Sequence, residues 1–379
     1  MPSDSQPFSL KWTFATASNV RSSPVVVDGV VYVGSDDGRM YALDAATGTQ
    51  RWSFAVNANM PVRSSATLVD GFLYIGSQGG TAAGQFGYLY KLAANVGTQC
   101  WQYRYGTSRL DVDHAPAVNF GVAFARHGGT FVGVSISNGA PLWQYRYNTI
   151  NRGPLGAAMD GGTLYAPGSD NVLYAADVRD EQQIWRQTGH HCAACIVLLD
   201  ETRMIYCGGY SVQCHDRATG TRLWRTDLGS GLDFTPDCSP AVGWVWTGAS
   251  SSQLVFACIK TNLYALRATN GSQLWRRTAA AEFHSSPALV GNMLFIGNDD
   301  GRVYALDAAT GERVWDYPTG GPVCSSPWID AHGVLYVGSD DGNVYAFNTG
   351  IPEPALWGAL PAGLMTWYAV CRRPALPSD

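Results

Sequence analysis

A tryptophan lying four residues after a turn residue recurs along this chain, at Gly97/Trp101, Gly139/Trp143, Glu181/Trp185, Gly220/Trp224 and Gly271/Trp275. From Trp52 to Trp315 successive repeat tryptophans are 49, 42, 42, 39, 51 and 40 residues apart by subtraction of their positions. A period near 43 restricts the chain to a propeller or a stacked helical array, because each unit is too small to bury its own apolar face and must stack on a neighbour. The local pattern separates the two. Val25-Val26-Val27, Val30-Val31-Tyr32-Val33, Met40-Tyr41-Ala42-Leu43 and Arg51-Trp52-Ser53-Phe54 are short β-rich runs divided by Asp-Gly, Asp-Asp-Gly and Thr-Gly turns. The unit is therefore predicted to be four antiparallel strands.

The ends of the chain fix the blade count. The last copy runs from Ser325-Ser326-Pro327 to Thr349-Gly350, and Ile351-Pro352-Glu353-Pro354 follows where a fourth strand is due. Proline cannot sit inside a ladder. The missing strand stands at the other end, as Phe8 to Phe14 around Trp12. The expected fold is all-β: an eight-bladed propeller with repeat tryptophans 12, 52, 101, 143, 185, 224, 275 and 315, closed by the N-terminal strand. Residues 1–350 are read as one domain, blade eight being 325–350 plus 8–14, and residues 351–379 as a Pro-rich tail. A monomeric propeller is expected.

Composition narrows the function. Of 379 residues 46% are hydrophobic and 15% charged, which excludes disorder, and the net charge of −5 provides no general field for nucleic acid or anionic lipid. The stretch from Trp357 to Val370 is too short for a spanning helix. Met1 to Pro7 has neither a basic nor an apolar signal-peptide region, and nine cysteines are too few for a disulfide scaffold, which favours a soluble protein in a reducing compartment. No phosphate loop or nucleophile elbow occurs.

Strand direction places the Ser-Asp-Asp-Gly turns and the linkers before each Ser-Ser-Pro on one face. The first strand is innermost, so residues just before it ring the channel mouth: Arg21, Arg63, Asp113, His114, Arg152, His190, His191, Asp233 to Asp237, His284 and Cys324. Arginines pair bidentately with carboxylates or phosphates, so Arg21, Arg63 and Arg152, with Asp113, His191, Asp237 and Cys324 nearby, are candidate ligands for an anionic or polar small molecule. His114 and His284 are the acid–base candidates. The competing reading is a solvated rim. Blade five gathers Cys192, Cys195, Cys207, Cys214 and His215 at a spacing suggestive of zinc or redox chemistry, but buried apolar cysteines are the commoner case and no metal is assigned.

Tyr-Ala-Leu-Asp-Ala-Ala-Thr-Gly-x-x-x-Trp, preceded by Tyr-Val-Gly-Ser-Asp-Asp-Gly, resembles the tryptophan-docking repeat of PQQ-type quinoprotein propellers over about residues 8–350. The resemblance implies that the eight tryptophans dock between blades. It also implies two classes of function. Quinoprotein dehydrogenases of this fold hold the quinone with calcium, stack it on a tryptophan and a disulfide of adjacent cysteines, and use an Asp base; here the adjacent Cys pair and the Glu-Asn-Asp calcium set are not evident, leaving Asp233 or Asp237 as base and Trp244 or Trp246 as stacking plane. Non-catalytic relatives, such as the outer-membrane assembly propeller, bind proteins on the same scaffold. The preferred expectation is a ligand- or protein-binding module; the alternative is an enzyme at the mouth, either a PQQ- and calcium-dependent alcohol or sugar dehydrogenase or one acting on an acidic small molecule or sugar.

Overall fold

The computed structural model describes residues 7–79, 86–104, 115–127, 130–146, 158–167, 172–177, 182–189, 194–229, 238–248 and 250–351. The strands form eight four-stranded antiparallel sheets, and one short 3-10 turn, Asn57–Asn59, is the only helical element among the described residues. Blade one consists of Val25–Val27, Val30–Ser35, Arg39–Asp44 and Gln50–Ala55. Its first hairpin turns through Asp28 and Gly29, both at positive φ (49° and 72°), a conformation that glycine adopts without strain and Asp tolerates. In each of the eight blades the register between the third and fourth strands slips by one residue next to the tryptophan, at Ala42/Leu43 in blade one for example. This bulge twists the outer strand.

Blade eight is a composite. Trp328–Ile329, Val334–Gly338 and Asn343–Asn348 are joined by Ser9–Ala15 from the other end of the chain, with Trp12 opposite Ala346. The N-terminal strand thus closes the last blade, as its sequence leads one to expect. The first strands of neighbouring blades approach one another at the one/eight, seven/eight, six/seven, two/three and four/five boundaries, so they lie innermost. Cores form mainly between blades: Trp12, Val31, Val33 and Leu43 bury with Val344 and Ala346, joining blade one to blade eight. Blade six departs from the others in length. Its first hairpin, Ala241–Trp246 and Ser251–Ile259, reaches farther than those of the other blades, whose first strands run from two residues in blade eight to five in blade five, and this contributes to the 51-residue tryptophan spacing.

Candidate functional site

The residues predicted to ring a channel mouth belong to a clasp repeated between blades. Two residues before the first serine of the linker stands a buried apolar residue whose N–H donates into the preceding blade's second strand or the turn after it: Val20 to Ser339 at 3.0 Å, Val62 to Ser35 at 3.0 Å, Val323 to Asn298 at 3.1 Å and Phe283 to Lys260 at 2.9 Å. The approach is close enough to demand glycine. A Cβ on Gly34 would stand 2.3 Å from the Val62 carbonyl oxygen. The serines then tie the innermost strands together. The N–H of Ser239 donates to Ser286 Oγ, that of Ser286 to Ser326 Oγ, that of Ser326 to Ser23 Oγ and that of Ser23 to Ser65 Oγ, at 2.9 to 3.2 Å. This belt crosses blades six, seven, eight, one and two.

Between Val and Ser in the clasp sit the predicted mouth residues. Arg21 of blade one bonds Asp340 of blade eight through Nε (3.0 Å) and Nη2 (2.7 Å). Arg63 of blade two bonds Asp36 of blade one in the same bidentate way, 2.8 Å at each contact. The hydrogen bond to Asp340 raises the Arg21 guanidinium above its ordinary value against the opposing effect of burial. Both carboxylates are the first Asp of a Ser-Asp-Asp-Gly turn. The second Asp of the turn faces other partners. Asp37 accepts from Tyr41 Oη and Ala17 N, and Asp341 accepts from Tyr345 Oη and Gly320 N.

The seven/eight boundary has a different composition at the same register. Cys324 takes the place of arginine, with Sγ 3.6 Å from Asp299 Oδ1, and His284 Nδ1 lies 2.7 Å from Asp299 Oδ2. His284 turns toward its own blade because blade six offers Lys260-Thr261 where the neighbouring turns carry Asp-Asp. The three ligand atoms of His284, Asp299 and Cys324 all lie within 4.8 Å of one another. Burial pushes the Cys324 thiol up to about 12, and the nearby Asp340 and Asp299 carboxylates add to the effect. Of the other predicted mouth residues, Asp113, His114, Arg152, His190, His191 and Asp233 to Asp237 lie outside the described residues, as do Cys192 and the tail from 352 onward. In blade five, Cys195, Cys207 and Cys214 are buried, and burial drives Cys207 well above the ordinary thiol range. His215 Nδ1 lies 2.9 Å from the Gly220 carbonyl oxygen.

The repeat tryptophans form a second ring of contacts. Trp12, Trp52, Trp101, Trp185, Trp224 and Trp275 each donate Nε1 to a carbonyl of the next blade, at Ala45, Ala94, Ile136, Arg217, Ala268 and Ala308 respectively, at 2.9 to 3.0 Å. The equivalent acceptor for Trp143 would be residue 178, outside the described residues. Trp315 stacks on Phe8 with centroids 5.3 Å apart. The six donating indoles are packing groups with their polar edge satisfied.

The tryptophans predicted as stacking planes for a quinone, Trp244 and Trp246, lie away from the Ser-Asp-Asp-Gly end of the blades, and the candidate bases Asp233 and Asp237 lie outside the described residues. The Trp246 backbone exchanges hydrogen bonds with the Asn292 side chain in blade seven's first hairpin turn, at the end of the blade away from the mouth. Trp244, two residues earlier, is likewise exposed. Arg21 and Arg63 are each engaged by a carboxylate. No catalytic step is derived through that group.

The opposite face has another character. Among the described residues the exposed large apolar side chains are Leu10, Val96, Phe120, Leu142, Ile184, Leu223, Trp244, Trp246 and Val314. All lie in or within a few residues of the first-hairpin and Thr-Gly turns, away from the Ser-Asp-Asp-Gly end. Leu142, Ile184, Leu223 and Val314 occupy one repeat position, immediately before the tryptophan, in blades three, four, five and seven, and half-buried Leu274 fills it in blade six. Blades one, two and eight have Arg51, Cys100 and Lys11 there. The result is an aliphatic arc over five consecutive outer strands. Sequence reading did not find it, although the residue before each tryptophan is a visible signal.

The chain is similar to proteins of known name. From Burkholderia pseudomallei, an outer membrane protein assembly factor BamB is 29% identical over 144 residues, 37% of this chain and 34% of the relative. The Bordetella pertussis protein of the same name is 27% identical over 263 residues, 65% of this chain and 66% of the relative. A tetrathionate hydrolase of Acidithiobacillus ferrooxidans is 24% identical over 169 residues, 44% of this chain and 29% of that protein. The match thus spans about a third of the length of the first of these relatives. Among solved structures, BamB from Moraxella catarrhalis superposes with a TM-score of 0.70 at 17% identity, covering 90% of this chain and 99% of that one. Quinohemoprotein alcohol dehydrogenase from Comamonas testosteroni superposes with 0.68 at 16%, covering 92% and 77%; at such identities the likeness concerns the fold. The family described as outer membrane protein assembly factor BamB matches residues 7–85, 85–210 and 208–351, nearly the whole propeller, and the chain belongs to that family of PQQ-repeat propellers.

Proposed function

We propose that this protein is a non-catalytic protein-binding propeller whose partner docks on the face of the Thr-Gly turns. The observation carrying this reading is the aliphatic arc of Leu142, Ile184, Leu223 and Val314 on four outer strands, each about half exposed. Monomeric surfaces rarely keep large side chains of this kind in register without a partner to cover them. The outer strands are also sheet edges, whose backbone groups can pair with an extended segment of another chain. Family membership supports the reading, since relatives bearing the family's description are named assembly factors. No helix among the described residues is long and apolar enough to cross a membrane.

A finer reading gives the mouth a small anionic ligand. The common register and partial exposure of Arg21 and Arg63 favour it, and such a ligand must compete with Asp340 and Asp36 for the guanidinium forks.

The test is photo-cross-linking of the full chain in its host cells, with the reactive residue at Leu223 or Val314 and, for comparison, at Arg39 beside a mouth turn. Adducts to a defined protein from the first two positions and not from Arg39 are expected. Adducts from Arg39 alone would move the docking surface to the mouth, and absence at every position would overturn the binding reading.

A further inference from the structure

At the one/eight and one/two boundaries the first Asp of a turn receives a fixed cation from the next blade, the guanidinium of Arg21 or Arg63. The seven/eight boundary keeps the carboxylate, Asp299, and the backbone clasp, Val323 to Asn298, but its arginine position holds Cys324. Three side chains from two blades converge there, offering one nitrogen, one oxygen and one sulfur within 4.8 Å. Asp299 directs one carboxylate oxygen at each partner, Oδ2 at His284 Nδ1 and Oδ1 at Cys324 Sγ. The site is partly open, with the His284 and Asp299 side chains 35% and 25% exposed.

We propose that His284, Asp299 and Cys324 bind a divalent transition cation of the zinc class at the channel mouth, in the electrostatic place that an arginine fills at the equivalent boundaries. A mixed nitrogen, oxygen and sulfur set suits zinc, whose bonds to such ligands are about 2.0 to 2.3 Å; to take them, His284 Nδ1 and Asp299 Oδ2 must part from their 2.7 Å contact to admit the ion between them. Calcium and magnesium prefer oxygen alone. Coordination is a proton exchange: the cation replaces the proton on Cys324 Sγ, that proton passes to solvent, the neutral His284 imidazole moves its proton from Nδ1 to Nε2 so that Nδ1 can ligate, and the net charge of the site rises by one. Three protein ligands leave a fourth tetrahedral position facing the channel, where water or an exogenous anion binds. The site lies at the end of the ring opposite the proposed partner face, so the two proposals stand or fall separately.

Cobalt(II) is the probe, because a thiolate ligand gives it an intense near-ultraviolet charge-transfer band and tetrahedral coordination intensifies its visible bands. Chelator-treated full-length protein is titrated with cobalt and then zinc, alongside Cys324→Ser and His284→Gln, with circular dichroism as the folding control. The expected result is a thiolate–cobalt band in the parent that zinc abolishes, absence of that band in Cys324→Ser, and at least tenfold weaker zinc binding in His284→Gln. A parent spectrum matching aqueous cobalt, or a thiolate band undiminished in Cys324→Ser, would overturn the proposal; the second result would place the metal on other cysteines. Should Cys324→Ser fail to fold, zinc-dependent protection of Cys324 from alkylation in the parent, read by peptide mass, decides the matter: no protection at saturating zinc counts against the site.

Discussion

Arg63 and Asp36 stand 27 residues apart, in adjacent blades, and meet in a two-pronged ion pair at the Ser-Asp-Asp-Gly end of the blades. The arginine comes from the linker entering blade two and the aspartate from the Ser-Asp-Asp-Gly turn of blade one, so the pair crosses the blade boundary beside the Val62 to Ser35 hydrogen bond. Arg21 and Asp340 repeat the arrangement where the two ends of the chain meet. These pairs are first of all inter-blade fasteners.

Removing one member should therefore cost stability. The Arg63 side chain is 30% exposed and Asp36 only 11%, so Arg63→Ala leaves a largely buried carboxylate without its main partner, at a cost of about 1–3 kcal/mol. Adding Asp36→Ala should recover part of that loss. Urea denaturation of both single variants and the double variant checks this, and strict additivity would show that the pair contributes no coupling.

The docking of Trp275 is open to a graded test. Its Nε1 donates to Ala308 at 3.0 Å and its ring packs on Gly311, which has a φ of 72°. Trp275→Phe should lose about 1–3 kcal/mol by stranding the Ala308 carbonyl, and Trp275→Ala about 3–5 kcal/mol through the added cavity. Gly311→Ala should also destabilise, because its Cβ would fall 2.8 Å from the indole in a backbone conformation that L-residues avoid. A Gly311→Ala melting temperature equal to the parent's would contradict that packing.

The fold was legible because a repeat multiplies weak signals. Asp-Gly and Thr-Gly turns, β-rich runs and a tryptophan every 40-odd residues each mean little once, but together they force four strands per unit. The orphan strand around Trp12 and the prolines after Gly350 then revealed how the ring closes. The site was legible only as a register. Sequence placed Arg21, Arg63, His284 and Cys324 at one height, but not their partners, which come from turns one blade away. Yet the pairing left a partial trace: Arg63 and Arg21 follow blades whose turns carry Asp36 and Asp340, and His284 follows Lys260-Thr261, but Cys324 follows Asp299-Asp300 and breaks the pattern. The serine belt was hidden for a similar reason, since Ser23 and Ser65 touch only after the blades are arranged around the axis.

Acid should weaken the blade-eight turn in a defined direction. Burial works to raise the Asp341 carboxyl, but hydrogen bonds from Tyr345 and from the backbone N–H groups of Asn343 and Gly320 outweigh it and hold it below the usual value. A depressed folded-state value means that its contribution is complete above the unfolded carboxylate value of about 3.9 and disappears as pH falls through the folded value. The stability difference between parent and Asp341→Asn should thus be largest near neutrality and shrink below about pH 4. Denaturant midpoints at about pH 6 and about pH 3, on either side of that value, measure it; a difference that grows in acid would reverse the assigned sign.

Ring closure by the N-terminal strand yields the most demanding test. Ser9–Ala15 pairs with Asn343–Asn348, Trp12 donates to Ala45 of blade one, and Phe8 stacks on Trp315 of blade seven. One short segment therefore touches three blades. Deleting residues 1–15 removes the outer strand of blade eight and exposes the apolar surface that Trp12 covers with Tyr336 and Gly48. At about 25 cal/mol per Å2, loss of a strand bearing two large aromatics amounts to several kcal/mol, far more than any single substitution above. The truncated chain should melt well below the parent, with a broader transition, and a synthetic peptide of residues 7–16 added in trans should restore part of the loss by mass action. The same peptide with Trp12→Ala should restore less, because the strand would pair without its dock. A truncated protein that melts within about a degree of the parent would mean that the ring is held without its closing strand, and the packing of Trp12 on blade one would then have to be redundant with the Arg21–Asp340 pair across the same boundary.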